Sequence, residues 1–230
     1  MDTWTNDEEL FKLIRQELFT AVVGDIMDKM GFRHQFLPPQ IRPLHDDMFL
    51  VGRAMTVLGA NTFGETNPES ANPWMAKPFG LMLEALDDLK MNEIYVGTGW
   101  SPTYALWGEL MTCRARVLGA AGVVVNGYIR DKKGILEEQF PVFSFGSYAQ
   151  DQAPRGKVLD YRVPIEMNGV GIRDGDIIIG DLDGVCIVPR EIEKEVFYKS
   201  IEKARGEKVV RKAILDGLSA REAFEKFGIL

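Results

Sequence analysis

The chain has 230 residues, 46% hydrophobic and 27% charged, and its 34 acidic side chains against 27 basic ones give a net charge of −7. Such a composition implies a globular chain with a sizeable core, and the acidic balance argues against a nucleic-acid partner, whose phosphates need a basic stripe. The first residues, Met1 to Glu9, contain no basic region followed by an apolar run, and no segment has the uninterrupted apolar length of a membrane span. Cys113 and Cys186 lack CxxC spacing and sit among apolar neighbours, so two buried free thiols in a reducing compartment, the cytoplasm, are expected.

In chain order, residues 6–30 read as two helices. Leu10, Leu13, Ile14 and Leu18 recur at helical spacing behind an Asn6 cap and an acidic first turn, and a second amphipathic piece from Val22 stops at Gly31. His34 to Pro43 is proline-rich and aperiodic, a loop. Gly52 to Leu58 reads as a strand, and 59–78, rich in Gly, Asn, Pro and Thr, as a long loop of the kind that often serves function. A helix at about 79–90 leads to the strand Glu93 to Val96. A helix around 108–118 ends at Gly119, and Gly122 to Val125 is a buried strand running into the turn Asn126-Gly127. Further strands are expected at Pro141–Phe145, Lys157–Ile165, Val170–Ile172, Asp176–Gly180 and Val185–Val188, and a charged helical tail runs from Glu191 to Phe227, broken near Gly217. This order predicts an α/β chain, layered around one core: a unit over 1–190 that includes the N-terminal helices, and a helical tail over 191–230 packing on the same or a neighbouring subunit.

Several constellations are weak. His34 and His45 lie in loop-rich sequence with no serine or cysteine elbow nearby, so surface histidines are the simpler reading. Gly97-Thr98-Gly99 opens like a dinucleotide loop but lacks the third glycine, which leaves a turn after a strand. Asp181 and Asp183 before Gly184 read as a turn rather than a cation loop, and Asp174-Gly175 after Arg173 as a hairpin turn. Arg130-Asp131 differs, because it follows the all-apolar strand Val123 to Val125 at the carboxyl edge of the sheet, where ligands collect. A guanidinium offers a planar fork for a carboxylate and an aspartate offers a hard oxygen for Mg²⁺ or Mn²⁺; a plain surface ion pair fits the same residues equally well. Upstream, a helix starting at Gly108 would aim free amides of Glu109, Leu110 and Met111 at an anion. A helix starting at Ser101-Pro102 would instead consume those amides, and spacing alone leaves both open.

Gly108-Glu109-Leu110-Met111, twenty residues between Glu109 and Arg130, and then Asp131 together resemble the acidic-residue–x20–Arg-Asp signature of class II 4-hydroxy-4-methyl-2-oxoglutarate aldolases and the related regulators of ribonuclease E activity. The likeness runs through Ala120 to Gly127, Pro141-Val142-Phe143, Gly171 to Asp176, Asp183-Gly184-Val185 and Val188-Pro189, over roughly residues 20–190. Ala213 to Ser219 through Gly228 is similar to the helical tail of the aldolase branch, whereas Gly97-Thr98-Gly99-Trp100 replaces a more acidic loop of many relatives.

The resemblance implies a swivelling β/β/α-type fold assembled as homotrimers or homohexamers. It implies pyruvate held by the backbone amides of Gly108 to Met111 and by Arg130, and Mg²⁺ or Mn²⁺ held by Asp131, partly through water. Glu207 matches a glutamate that a neighbouring subunit's tail sends into the site. The expected activity is cleavage of a 4-hydroxy-2-oxo acid to pyruvate, with Glu109 moving a proton through water and with oxaloacetate decarboxylation as a side activity. The alternative is a non-catalytic ribonuclease regulator on the same trimeric scaffold. A Schiff-base aldolase would need a desolvated lysine, and Lys132 and Lys133 lie in a polar stretch.

Overall fold

In the computed structural model, residues 4–62 and 69–228 are described; part of the expected 59–78 loop and the first three residues lie outside them. Helices α1 (Asp7–Glu17) and α2 (Thr20–Lys29) open the chain. Asn6 caps α1 by accepting from the Glu9 amide at 2.9 Å, as the sequence suggested. The short β1 (Arg42–Pro43) and the long β2 (Leu50–Asn61) follow. Then come a 3₁₀ turn at Pro73–Ala76, α3 (Met82–Asp87), β3 (Glu93–Thr98), α4 (Glu109–Val117), β4 (Gly122–Val125), α5 (Lys132–Glu137) and β5 (Val142–Ser144). Five strands complete the β structure: β6 (Gly156–Tyr161), β7 (Ile165–Met167), β8 (Val170–Ile172), β9 (Ile177–Asp181) and β10 (Gly184–Val188). Helices α6 (Glu193–Leu215) and α7 (Ala220–Phe227) close the chain.

The main sheet runs β1-β5-β4-β3-β2-β9-β10, with β6 also on β2. One edge of β2 pairs in parallel with β3; along the other, Leu50 to Arg53 pair with β9 and Val57 to Asn61 with β6. Strands β2, β3, β4 and β5 are parallel, with α3, α4 and α5 as their crossovers. The sheet curls until its first and last strands approach: Phe36, ahead of β1, bridges Cys186 of β10, and the Arg42 guanidinium donates to the carbonyls of Leu182 and Asp183. This is a swivelling α/β single-domain fold, as expected.

Strand parity builds the layers, because alternate residues face opposite sides. Val123 and Val125 of β4 pack with Met55, Val57 and Tyr95 under α3, α4 and α5. Val124 faces the inside of the curl with Ile178, Ile187 and the β7–β8 hairpin. Ile177 and Ile179 face a third cluster made by α1, α2 and α6, with Phe11, Val23 and Phe197. Strands buried on both faces must be apolar throughout, which is why Gly122 to Val125 and Ile177 to Ile179 carry no polar alternation.

Four local expectations are corrected. Lys157–Ile165 is not one strand: Arg162 takes a left-handed conformation, φ 55°, and separates β6 from β7. Its guanidinium is held there by Asp88, Glu93 and Asp174. Asp174-Gly175 is a turn but closes no hairpin, since β8 pairs with β7 and β9 with β2 and β10. The helix expected at 79–90 shrinks to α3. Cys113 is only half-buried, although both thiols are free; burial pushes the Cys186 thiol up to about 12. The Asp181–Asp183 turn does join β9 to β10, with Asp181 accepting from the amide and hydroxyl of Thr20 at 2.7 Å each. Among the described residues no helix is long and apolar enough to cross a membrane.

Candidate functional site

Three loops leave the carboxyl ends of β3, β4 and β5 on the same side of the sheet, the position where parallel sheets place ligands. They are zipped together beyond the strands. Leu106 N–H donates to Tyr128 O at 2.8 Å, Arg130 N–H to Trp107 O at 2.9 Å, Ala105 N–H to Gln150 O at 2.7 Å and Ile129 N–H to Gly146 O at 2.9 Å. This mesh brings Gly108, Arg130 and Asp151 to one place.

The start of α4 is decided by that loop. Ser101 does not nucleate a helix, because its amide and hydroxyl donate to Asn61 Oδ1 at 3.0 and 3.1 Å, and Tyr104 donates to the same oxygen at 2.7 Å. Burial pushes the Tyr104 phenol up to about 12. Trp107 is buried between Tyr95 and Phe140, and its indole N–H donates to Thr112 Oγ1 at 2.7 Å. Gly108 is then extended, φ −153°, and caps a helix that begins at Glu109. The first intrahelical acceptor is Gly108 O, bonded by Thr112 N–H at 3.1 Å. The amides of Glu109, Leu110 and Met111 are therefore outside the helical ladder. Glu109 N–H reaches Asp131 Oδ2 at a long 3.4 Å.

Asp131 also adopts the left-handed conformation, φ 58° and ψ 35°, just before α5. Aspartate is among the few side chains that tolerate this conformation, and there its carboxylate stands beside Gly108. Its carboxylate lies 3.6 Å from Arg130 Nε, while Arg130 Nη1 lies 3.2 Å from Asp151 Oδ1. All three side chains remain 41–46% exposed. With two of its five N–H groups so placed, the guanidinium retains donors for an incoming carboxylate. Gly108 is small for a reason of space: a Cβ there would stand 2.8 Å from Asp131 Oδ2.

These groups line a cavity of about 360 Å³. Of the predicted residues, Gly108, Leu110, Met111, Arg130 and Asp131 line it. Glu109 contributes an amide beside it, but its carboxyl group lies against Gly134 of α5. Glu207 sits on α6, paired with Lys203, and is not part of this cavity wall in its own chain. Lys132 and Lys133 are exposed, and Lys133 faces Glu137 at 3.9 Å. Asp151 and Gln152 were not anticipated; the available signal was their place in the loop after β5, at the same sheet edge. His34 and His45 are exposed. Gly97 and Thr98 are the last residues of β3, paired with Val57 and Leu58 of β2, and only Gly99 begins the bend that follows, so the turn expected over Gly97-Thr98-Gly99 starts two residues later.

Among the described residues no three His, Cys, Asp or Glu side chains converge as a metal cage. Mg²⁺ seldom uses one; it favours one or two carboxylates with waters and substrate oxygens. Asp131 suits that mode, since its carboxylate has only the two long contacts given above and borders the cavity.

The site and fold place the chain among the aldolase/RraA proteins: the family model described as RraA-like, aldolase/RraA, matches residues 20–187, and the chain belongs to that family. Among its relatives is a protein of Halalkalibacterium halodurans named "Putative 4-hydroxy-4-methyl-2-oxoglutarate aldolase", 31% identical over 206 residues and covering 89% of each chain. A solved structure described as a novel cellulase from gut-associated microbes is 31% identical, covers 90% of this chain and 89% of its own, and superposes with a TM-score of 0.80. Streptomyces coelicolor RraAS2, described as an unusual member of the RNase ES inhibitor RraA family, is 21% identical over 91% of this chain and 99% of its own, with a TM-score of 0.75, a likeness of fold.

Proposed function

We propose that the chain is a divalent-metal-dependent aldolase that cleaves a 4-hydroxy-2-oxo acid to pyruvate and a second carbonyl compound, with oxaloacetate decarboxylation as a side activity. The observation that carries the reading is the meeting of Arg130, the free amides that open α4 and the Asp131 carboxylate on one cavity. Arg130 and the amides bind the substrate carboxylate and lie where negative charge grows, the electrostatic contribution that usually dominates. Asp151, on Arg130 Nη1, fixes the orientation of the fork. Mg²⁺ or Mn²⁺ held by Asp131 would supply Lewis-acid polarisation of the 2-oxo group. The C4 hydroxyl loses its proton, the C3–C4 bond breaks, and its electron pair becomes the pyruvate enolate, which takes a proton at C3. Glu109 is assigned the proton transfer through water; its carboxyl group, which packs against Gly134, must turn toward the cavity to do so. Loss of CO₂ from oxaloacetate leaves the same enolate. Assembly as homotrimers or homohexamers, with Glu207 reaching a neighbour's site, belongs to the same proposal.

Pyruvate release from 4-hydroxy-2-oxo acids tests it. Arg130→Ala should lower kcat/KM by about 10² or more, Arg173→Ala should leave it within a few-fold, and chelation should abolish it. Equal losses in the two arginine variants, or full activity in stripped protein, would refute the mechanism. A ribonuclease regulator on this scaffold would make no demand on the cavity, so ribonuclease inhibition indifferent to Arg130→Ala, without pyruvate release, would favour that reading instead.

A further inference from the structure

Among the described residues that line the cavity, one uncharged polar side chain keeps an unused hydrogen-bonding atom. Gln152, in the loop after β5, is 5% exposed and borders the cavity with Gly108, Arg130 and Asp131. Its backbone is pinned, because its carbonyl accepts from the amides of Arg155 and Gly156, the latter at 2.9 Å. The side-chain amide is turned in one sense: Nε2 donates to Gly156 O at 3.2 Å, an acceptor that only the nitrogen can serve. Oε1 is the end left over, and it has no partner among the described residues. Leaving an amide oxygen unpaired in a nearly buried position is costly, and a ligand that brings a donor removes that cost.

The other polar groups of the cavity are committed. Arg130 is flanked by Asp131 and Asp151, the Trp107 indole donates to Thr112, and the Glu109 carboxyl group lies against Gly134. Met82, Leu83 and Leu86 of α3 form an apolar wall that offers no hydrogen bond. Asp151, the chain neighbour of Gln152, stands 3.2 Å from Arg130 Nη1, so the free amide oxygen lies a short reach beyond the carboxylate-binding end.

Resting on the aldolase reading, we propose that Gln152 recognises the 4-hydroxyl group of the substrate, with Oε1 accepting its hydrogen. In a 4-hydroxy-2-oxo acid, C4 lies two carbons beyond the 2-oxo carbon. A carboxylate on Arg130 and an oxo group beside Asp131 therefore send the hydroxyl to the next polar group along the wall. An amide is too weak a base to take the proton. It fixes the C4 oxygen until the O–H bond turns toward the water served by Glu109, and the cleavage of C3–C4 is unchanged. The contact asks nothing of the group beyond C4, so monocarboxylic and dicarboxylic 4-hydroxy-2-oxo acids both satisfy it.

Two stable ligands isolate the contact: 2,4-dihydroxypentanoate, as each C4 epimer, and 2-hydroxypentanoate. They differ by the C4 hydroxyl alone, and neither can be cleaved, since neither has the 2-oxo group that receives the electron pair. In calorimetric titrations of the whole protein with Mn²⁺, one epimer of the diol should bind about five- to tenfold tighter than 2-hydroxypentanoate, the worth of one neutral hydrogen bond. Gln152→Met keeps the shape and removes the acceptor; the ratio should fall to about one while pyruvate, which ends at C3, binds as before. Asp151→Ala removes the rival acceptor and should weaken both ligands together with the ratio kept. A ratio near one in the unmodified protein, no binding of the pair, a ratio that survives Gln152→Met, or one that collapses in Asp151→Ala would each overturn the proposal. So would loss of pyruvate affinity in folded Gln152→Met, which marks a merely structural role. Pyruvate release plays no part in these titrations: a protein that shows the ratio but cleaves no 4-hydroxy-2-oxo acid sinks the aldolase reading and leaves the hydroxyl contact standing.

Discussion

At the scale of single residues, Gly108 and Asp131 are coupled by contact. The extended backbone of Gly108 suits any residue, so its requirement is steric alone. A methyl group at that position must push the Asp131 carboxylate, whose Oδ2 stands 2.8 Å from the site of a Cβ. Gly108→Ala should therefore cut pyruvate release at least about tenfold with little change in Tm; unchanged kinetics would show that the two residues do not share a ligand. Asp131→Asn tests the charge separately. Asparagine tolerates the left-handed conformation as well as aspartate does, so the fold should persist while Mn²⁺ affinity falls, as calorimetry can read. Undiminished affinity would remove Asp131 from the metal's ligands.

At the scale of elements, β2 organises the sheet: one edge passes from β9 to β6 between Arg53 and Val57, and the register with β6 shifts at Leu58/Gly59. A Cβ on Gly59 would fall 1.7 Å from Trp100 Cε2, and that indole donates its N–H to Lys157 O at 3.0 Å. Gly59→Ala should cost about 1–3 kcal/mol by overpacking, measured by urea unfolding; a cost near zero would mean that Trp100 is free to move. Such non-local contacts explain what the sequence did and did not disclose. The periodic helix α1 and the apolar β4 were legible because their signals are local. The break in 157–165 was not, since Arg162 turns there to meet carboxylates at 88, 93 and 174. Arg130, Asp131 and the α4 start were legible through the family resemblance, since spacing alone left a surface ion pair and a helix from Ser101-Pro102 open. Asp151 and the apolar wall of Met82, Leu83 and Leu86 had no motif, and join the site only when α3 and the loop after β5 fold onto it.

For the whole molecule, one guanidinium ties three elements. Arg53 of β2 bonds Asp7 of α1, Glu193 of α6 and the Gly175 carbonyl. Those bonds hold the Asp7 carboxyl below its usual value. A carboxyl lowered by folding stabilises the fold above its unfolded pKa of about 3.9 and loses that contribution as pH falls through the folded value. Asp176 has the opposite sign: burial raises its pKa, so its contribution is complete at low pH and is lost as pH rises. Arg53→Met should cost about 2 kcal/mol at pH 7, and the gap to the unmodified protein should narrow below about pH 4. A gap of the same size at pH 7 and pH 3.5 would show that the tie is electrostatically idle.

The approach of β1 to β10 has a consequence for self-association. A sheet that ends in bare strands offers a template for runaway pairing with other chains. Here the segment before β1 lies along β10, with Leu37 N–H donating to Val185 O at 2.9 Å and Ile187 N–H to Gln35 O at 2.8 Å, which covers the edge where a further strand would add. Away from that edge, Leu83, Leu110, Val117 and Phe224 on the helices leave apolar side chains exposed.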